Sequence, residues 1–265
     1  TTPTPPTTPT TPTTTITTTK APPCVQGGST DQPSLFCFAV AMPGFELDCM
    51  REQLRRRTGI FACNDYAVIS KVNVSLGYGN KGCGEVYTWV NNVPQVPVGQ
   101  YGMNGATTSS WLNTYTFIMA WDTLMNSGKL WKHQWVVKVD PDAVFFPDRL
   151  RNRVRPFTGG SKFIFNCNSN GPKIYGALEV FSMEAISAYH DRVGACKNMN
   201  WHGWGEDMYM QECMKSVGAA GVTQFDLVAD ERCQNAACSD GSKAAFHAYK
   251  NVPAWKGCYE MAIHR

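Results

Sequence analysis

Two aspartates, Asp140 and Asp142, stand one residue apart in the segment WVVKVDPDAVFFPDRL, directly after an apolar, β-branched run. Pro141 separates them and biases the backbone before it toward an extended conformation. Two carboxylates on an extended segment can flank a bound cation, and Mg²⁺ and Mn²⁺ prefer such oxygen ligands. A cation held there can neutralise a diphosphate leaving group. The alternative for a bare pair of this kind is a solvated loop, which the strongly apolar run before it disfavours.

The elements around this pair must place it at the edge of a sheet. The segment SLFCFAVAMP (residues 34–43) predicts a strand that is apolar on both faces. Leu47, Met50 and Leu54 then recur at helical spacing, and IFACNDYAVISKV supplies a second strand region. This alternation continues along the chain and predicts an α/β fold with a mostly parallel, Rossmann-like sheet flanked by helices. Ligands bind beyond the carboxyl ends of such strands, which is where Asp140 is expected.

Further helices are predicted from Ser109 or Ser110 to Gly128, over residues 183–193, and from GEDMYMQECMKSV to Gly218. A late strand is predicted in TQFDLVAD (residues 223–230). The region between the second strand and the second helix is rich in Gly, Asn and Pro, which predicts loops with an irregular strand or two.

The first residues of the chain differ in composition from the rest. Residues 1–19 are almost entirely threonine and proline, so they cannot bury enough apolar surface to fold alone. We predict that residues 1–23 form an extended stalk or linker, either bare or O-glycosylated, and that residues 24–265 form one globular domain. The candidate O-glycosylation sites include Thr7, Thr8, Thr10 and Thr11.

Eleven cysteines are scattered along the chain without a CxxC pair, which favours disulfides in an oxidising compartment over a zinc site. Cys233 and Cys238, followed by His247, give only a weak indication of a metal site. The odd count leaves one thiol free or paired with another chain. Self-association through this cysteine or through the tail is compatible with the sequence. Asn73 begins an N-glycosylation sequon, which agrees with an extracellular or secretory, Golgi-like location.

The charge pattern argues against a nucleic-acid partner. The net charge is +3, and the one basic run is Arg55–Arg57, which is typical of a solvated helix face. No apolar stretch reaches the length that spans a bilayer. Since the sequence shows neither a signal peptide nor an initial Met, we expect a mature form or an excerpt, and a membrane anchor upstream of it is compatible with these observations.

Three segments, KVDPDAVF, WGEDMYMQECM and AFHAYK, together resemble motifs of a known family in their order and spacing. They make the chain similar to a metal-dependent, nucleotide-sugar glycosyltransferase of the GT-A fold, in the fringe-like and β-galactosyltransferase-like group. The resemblance extends from Leu35 to Lys250. It implies transfer of a sugar, with inversion, from a UDP-sugar to a glycan or glycoprotein acceptor.

The resemblance also implies roles for particular residues. Asp142 would be the principal metal ligand, with Asp140 contacting the nucleotide ribose or the metal through water. His247 would complete the site, which favours Mn²⁺ over Mg²⁺ because imidazole is a better ligand for Mn²⁺. Asp207 would be the base that deprotonates the acceptor hydroxyl, and Glu206 is its competitor. Two acids in the first turn of a helix can also serve only to stabilise that helix.

Further expectations concern the substrate contacts. The resemblance would place Ala41 and Met42 near the uridine, and Lys250 would face the diphosphate as a point charge. Trp201 and Trp204 could stack on an acceptor sugar, although packing is the more frequent role of a Trp.

Two departures from the family pattern limit what can be carried over. Pro141 stands where the family often has a third acid, and residues 73–108 match no part of the family.

One alternative is therefore a catalytically inactive, GT-A-like extracellular structural or assembly protein with a glycosylated Thr/Pro arm. Another is a glycoside hydrolase that uses Asp142 with Asp207. The distance from His247 to Asp142 discriminates, because a metal site requires them to be close.

Overall fold

Strands and helices alternate along residues 31–79 and 83–264, the part of the chain that the computed structural model describes. The strands in this part are β1 (Leu35–Val40), β2 (Asp65–Ser70), β3 (Ser75–Tyr78), β4 (Glu85–Tyr87), β5 (Trp89–Val90), β6 (Trp135–Val139), β7 (Val144–Phe145), β8 (Lys162–Phe165), β9 (Leu178–Ser182), β10 (Ala220–Thr223), β11 (Val228–Ala229) and β12 (Ala245–Phe246). The helices are α1 (Phe45–Arg56), α2 (Thr114–Ser127), α3 (Pro147–Val154), α4 (Met183–Asp191), α5 (Val193–Lys197), α6 (Glu206–Ser216) and α7 (Val252–Ile263). The Thr/Pro stalk and its four candidate threonines lie outside the described residues, so the predicted two-part organisation stays a prediction.

The main sheet has seven strands in the order β10-β8-β9-β6-β1-β2-β5. Its pairs are parallel except where β9 runs antiparallel to β6 and β8. The predicted α/β fold with a mostly parallel sheet flanked by helices is confirmed. Since β1 and β6 are parallel neighbours, Val40 and Asp140 come to the same edge of the sheet.

The central strand β1 is buried on both faces, as its unbroken apolar sequence predicts. Cys37 and Ala39 face a core layer that includes the buried side of α1, whereas Phe36 and Phe38 face a second layer with α2, α4 and α6. In the second layer the edge of Trp121 packs against Phe38, with the ring centroids 4.8 Å apart. Burial of each such side chain stabilises the fold by about 1.5–3 kcal/mol, so these two layers fix the sheet on which the site is built.

Helix α2 begins later than its sequence pattern predicts. Ser109 and Ser110 do not cap it, because the backbone around them pairs with an earlier part of the loop: Gly99 N–H donates to Ser110 O at 2.7 Å. The helix starts at Thr114 and ends at Gly128, as predicted. Gly128 has a φ of 73°, a left-handed conformation that glycine adopts without steric cost.

Two other regions differ in detail from the expectation. TQFDLVAD contains the end of β10 and all of β11, separated by a turn in which Leu227 N–H donates to Gln224 O at 3.0 Å. The polar Gln and Asp in this segment favour that turn over one continuous strand. The Gly-rich middle region forms the short antiparallel pair β3 and β4 and the edge strand β5. Asn73, the sequon residue, is exposed just before β3.

A small second sheet of order β11-β12-β7 lies beside the carboxyl end of β6. Helix α7 supports it, because Trp255 is fully buried there and its indole N–H donates to Ala143 O at 2.9 Å. The small sheet therefore connects the aspartate pair to the C-terminal part of the chain.

The cysteines that are scattered along the sequence pair into disulfides. The described residues include the pairs Cys37–Cys63, Cys167–Cys233, Cys196–Cys213 and Cys238–Cys258. Cys233 and Cys238 thus form disulfides with different partners and are not metal ligands. Cys49 carries a free thiol and is fully buried, so pairing with another chain through it would require local unfolding.

Among the described residues, no helix combines the length and the apolar character that crossing a bilayer requires.

Candidate active site and metal site

Strand pairing in the small sheet brings His247 to the aspartate pair. Asp142 lies just before β7 and His247 just after β12, and these strands pair antiparallel with Phe246 opposite Val144. His247 Nε2 is 3.4 Å from Asp142 Oδ1 and 3.8 Å from Asp140 Oδ2. One ligand atom from each of the three residues lies within 4.8 Å of the others. His247 therefore lies close to Asp142, as a metal site requires.

The donor set of this acid–imidazole cluster (Asp140, Asp142 and His247) fits a divalent cation. Asp142 is only 4% exposed, and burial alone would favour its neutral form, but hydrogen bonds from His247 and Lys250 lower its pKa to about 2. Lys250 Nζ is 2.5 Å from Asp142 Oδ2. The carboxylate is therefore ionised at neutral pH, as a metal ligand must be. Carboxylate oxygens and a neutral imidazole nitrogen are both ligand types that divalent cations accept.

Asp230, a residue that the sequence motifs do not indicate, orients His247. Its Oδ2 atom is 2.7 Å from His247 Nδ1 and accepts a hydrogen bond from the Tyr175 hydroxyl at 2.9 Å. Its Oδ1 atom accepts the Arg232 backbone N–H at 2.8 Å. A carboxylate on Nδ1 leaves Nε2 directed at the two aspartates, an arrangement common around metal-binding histidines. Its position at the end of TQFDLVAD, an acid directly after an apolar run, is the same indication that identified Asp140.

The charge of His247 depends on these acids. Burial lowers its pKa, but hydrogen bonds with Asp142 and Asp230 outweigh burial and raise the pKa to about 9. The imidazolium is thus the form that balances the acids when no cation is present. His247 would have to lose that proton to serve as a ligand of a divalent cation.

Lys138 joins the aspartate pair to the second acidic motif. This lysine is 1% exposed, and its Nζ donates to Asp140 Oδ1, Gly176 O and Glu206 Oε1, each at 2.7 Å. Glu179, its cross-strand partner on β9, lies 3.4 Å away. Burial disfavours the ammonium, yet these acids keep the pKa of Lys138 well above its usual value. A buried lysine with three acidic neighbours fixes the relative positions of β6, β9 and α6.

The two acids that open α6 occupy different environments. Lys138 outweighs the effect of burial on Glu206 and lowers its pKa. For Asp207, burial and the charge of Glu206 raise the pKa to about 6, and its Oδ1 accepts the Met208 N–H at 2.7 Å. Glu206 is therefore engaged in an ion pair, whereas Asp207 has the higher proton affinity that a general base near neutral pH needs.

A cavity of about 930 Å³ joins these groups. Seven of the residues predicted from sequence line it: Met42, Asp140, Asp142, Glu206, Asp207, His247 and Lys250. Its volume lies in the range typical of small-molecule and cofactor sites.

The other predicted contact residues lie elsewhere. Ala41 is fully buried and does not line this cavity. Trp201 stacks on His202 with ring centroids 4.4 Å apart, and Trp204 packs against the core layer that contains α2. Trp111, which was not predicted, lines the cavity and is 56% exposed. The roles first predicted for Ala41, Trp201 and Trp204 thus stay predictions without a contact to this cavity.

Comparisons with known proteins add little beyond this geometry. No model of a known protein family matches the chain, and no curated protein matches its sequence. Among solved structures, a glycosyltransferase involved in glycosylation of the major capsid of PBCV-1 matches with a TM-score of 0.46 at 9% identity, over 86% of this chain and 100% of that one. A protein from Bacillus anthracis described as a glucose-1-phosphate thymidylyltransferase, in complex with sucrose, matches with a TM-score of 0.39 at 10% identity, over 86% of this chain and 95% of the other. At these scores and identities, neither likeness assigns an activity to this chain.

Proposed function

We propose that this chain is a Mn²⁺-dependent glycosyltransferase that transfers a sugar from a UDP-sugar to a glycan or glycoprotein acceptor, with inversion at the anomeric carbon. One observation carries the proposal: the acid–imidazole cluster and Asp207 line the same cavity. A metal-binding set beside an acid of raised pKa is the combination that this reaction needs.

Asp142 and His247 would hold the cation, because both line the cavity and Asp142 Oδ1 lies 3.4 Å from His247 Nε2. Asp140 Oδ1 is engaged by Lys138, which leaves Oδ2 for the cation, a bridging water or the ribose. When bound, the cation supplies positive charge to the diphosphate as it leaves. Lys250, which is exposed and lines the cavity, adds a positive charge near the same groups.

Asp207 would act as the base. It accepts the proton of the acceptor hydroxyl as that oxygen forms a bond to the anomeric carbon. The bond from this carbon to the diphosphate oxygen breaks at the same time, and its electron pair leaves with UDP. Glu206 is a weaker candidate for this role, because its carboxylate is bound to Lys138.

We also propose that the protein works in a Golgi-like lumen or outside the cell. The disulfides among the described residues suit an oxidising compartment, and the exposed Asn73 is accessible to glycosylation. Glycosylation of the threonine-rich tail and self-association through that tail belong to the same proposal.

The deciding experiment measures UDP release from a panel of UDP-sugars with and without Mn²⁺, in the wild type and in Asp142→Ala. We expect turnover only with Mn²⁺ and a loss of at least about a hundredfold in Asp142→Ala, since a carboxylate ligand is removed. Turnover that is unchanged without Mn²⁺ and unchanged in Asp142→Ala would overturn the metal assignment and favour a hydrolase. Absence of both turnover and Mn²⁺ binding in the wild type would favour the structural alternative.

A further inference from the structure

Charged residues are absent from a long part of the chain that borders the cavity. Residues 86–121 contain no Asp, Glu, Lys, Arg or His, although charged residues make up 17% of the sequence. We call residues 86–121 the uncharged segment. It contributes an aromatic side chain and three hydroxyl-bearing side chains to the cavity within five consecutive positions: Thr107, Thr108, Ser110 and Trp111. The acid–imidazole cluster thus borders one part of the cavity and a neutral surface borders another.

Backbone contacts hold this neutral surface in place. Val98 and Trp111 form an antiparallel bridge, and Leu112 N–H donates to Pro97 O at 2.9 Å. Thr107 N–H donates to Gly203 O at 2.9 Å. A Cβ at Gly203 would lie 2.1 Å from Gly105 O, so this close approach requires glycine. The exposed indole of Trp111 therefore stands on a fixed backbone.

The residues just after the uncharged surface connect it to the proposed base. Asn113 directly precedes α2, yet its Oδ1 accepts the backbone N–H of Glu206 at 3.1 Å, in the first turn of α6. The Thr114 hydroxyl donates to Trp204 O at 2.9 Å. The Trp111 carbonyl lies 3.9 Å from where a Cβ on Gly205 would stand, and Gly205 is the residue before Glu206 and Asp207. The surface and the proposed base are therefore neighbours.

From these contacts we infer that the uncharged segment forms the acceptor subsite of the proposed glycosyltransferase, with Trp111 as a platform for the apolar face of an uncharged pyranose. The Thr107 hydroxyl donates to Gly203 O at 3.3 Å and can accept a hydrogen bond from a ligand. The hydroxyls of Thr108 and Ser110 can donate and accept, which matches the hydroxyl groups of a sugar. A neutral acceptor needs no counter-charge, and a large exposed aromatic at a cavity rim is a feature of binding surfaces. The inference rests on the proposed function for its biological role, but not for the binding itself.

Saturation-transfer NMR tests the subsite directly. The probes are methyl β-D-galactopyranoside, methyl β-D-glucopyranoside and methyl N-acetyl-β-D-glucosaminide at millimolar concentration, each with and without Mn²⁺ and UDP. We expect ring-proton signals for at least one probe with the wild type, about tenfold weaker binding in Trp111→Ala, and most of the affinity retained in Trp111→Phe. Tyr78→Ala is the matched control, because Tyr78 is 78% exposed on β3 and does not line the cavity.

The outcomes distinguish a failure of the proposed subsite from a failure of the proposed reaction. Loss of probe binding in Trp111→Ala but not in Tyr78→Ala supports the subsite, even if no UDP-sugar is turned over. Equal binding in Trp111→Ala and the wild type contradicts it, and so does absence of binding by every probe in the wild type, whether or not Mn²⁺-dependent turnover is found. Thermal unfolding followed by circular dichroism verifies that each variant is folded.

Discussion

The acid–imidazole cluster and the uncharged segment border the same cavity, but they are built in different ways. The cluster draws its residues from two distant parts of the chain, which the pairing of β7 with β12 joins. The surface of the uncharged segment is local in sequence and is held by backbone hydrogen bonds within its loop and by one to Gly203. Charged groups thus come from strand ends and the neutral surface from a loop.

This difference reflects the cost of burying charge. Each acid of the cluster needs a positive or hydrogen-bonding partner, and such partners are brought from several strands. A neutral surface has no such requirement, so a loop with satisfied backbone groups is sufficient. Changes on the charged side of the cavity should therefore have larger effects than changes at its link to the neutral surface.

The largest effect is expected from removal of Lys138. Lys138→Ala leaves Asp140, Glu179 and Glu206 without their shared cation in a buried site, which should lower the free energy of unfolding by about 3–5 kcal/mol. Urea denaturation measures the change. Lys132→Ala removes an exposed lysine from the same region and should change stability by less than about 0.5 kcal/mol. Equal effects for the two lysines would show that the buried ion cluster does not stabilise the fold.

Asp207→Asn tests the proposed general base on the charged side of the cavity. The substitution retains the oxygen that accepts the Met208 N–H but removes the basic carboxylate, so transfer should fall by about 10²–10⁴-fold. Affinity for UDP in the presence of Mn²⁺ should be unchanged, as measured by calorimetry. Asp191→Asn makes the same chemical change at an exposed position at the end of α4 and should be neutral. Full transfer activity in Asp207→Asn would require a different base.

Asp230→Asn tests whether orientation of His247 matters for the cluster. An amide is a weaker acceptor for the imidazole N–H, so Mn²⁺ affinity should fall by about 10–100-fold. Electron paramagnetic resonance of free Mn²⁺ measures this without any turnover, and Asp191→Asn is again the control. Unchanged affinity would mean that Asp230 contributes only to packing.

The pH dependence of transfer should reflect Asp207. Its pKa is raised to about 6, and only the deprotonated form accepts a proton. At saturating Mn²⁺ the rate should be constant above pH 7 and fall about tenfold per unit below pH 6. A rate that stays constant down to pH 4.5 would contradict the assignment.

The smallest effect concerns the link between the two sides. Asn113→Ala removes the acceptor for the Glu206 N–H and should cost about 1 kcal/mol of stability. Asn198→Ala is the control, because Asn198 stands at the C-terminal end of α5 and not at the start of a helix. It should lower the free energy of unfolding by less. Urea denaturation of both variants measures the difference, and equal stabilities would show that the link contributes nothing.

Residues that act through local patterns were predictable. The apolar strand before Asp140, the helical spacing of Leu47, Met50 and Leu54, and the acids that open α6 all follow from periodicity and helix chemistry. Lys138 was not predicted, because a lysine inside an apolar strand shows no sign in the sequence of the acids that will surround it. Cross-strand pairing with Glu179 and packing of α6 provide them.

The aromatic residues show a similar limit. Proximity in sequence to Asp207 suggested Trp201 and Trp204, but neither is among the residues that line the cavity. Trp111 lies almost a hundred positions from Asp207 and reaches the cavity through the contact of its loop with residues 203–205.

The sequence by itself determined the alternation of strands and helices and the acids at the ends of elements, because these depend on near neighbours in the chain. Only the tertiary structure decided which acid is held by Lys138, which carboxylate orients His247, and which aromatic borders the cavity. These outcomes depend on contacts between residues far apart in sequence, where burial and a specific partner set the charge and exposure of each group.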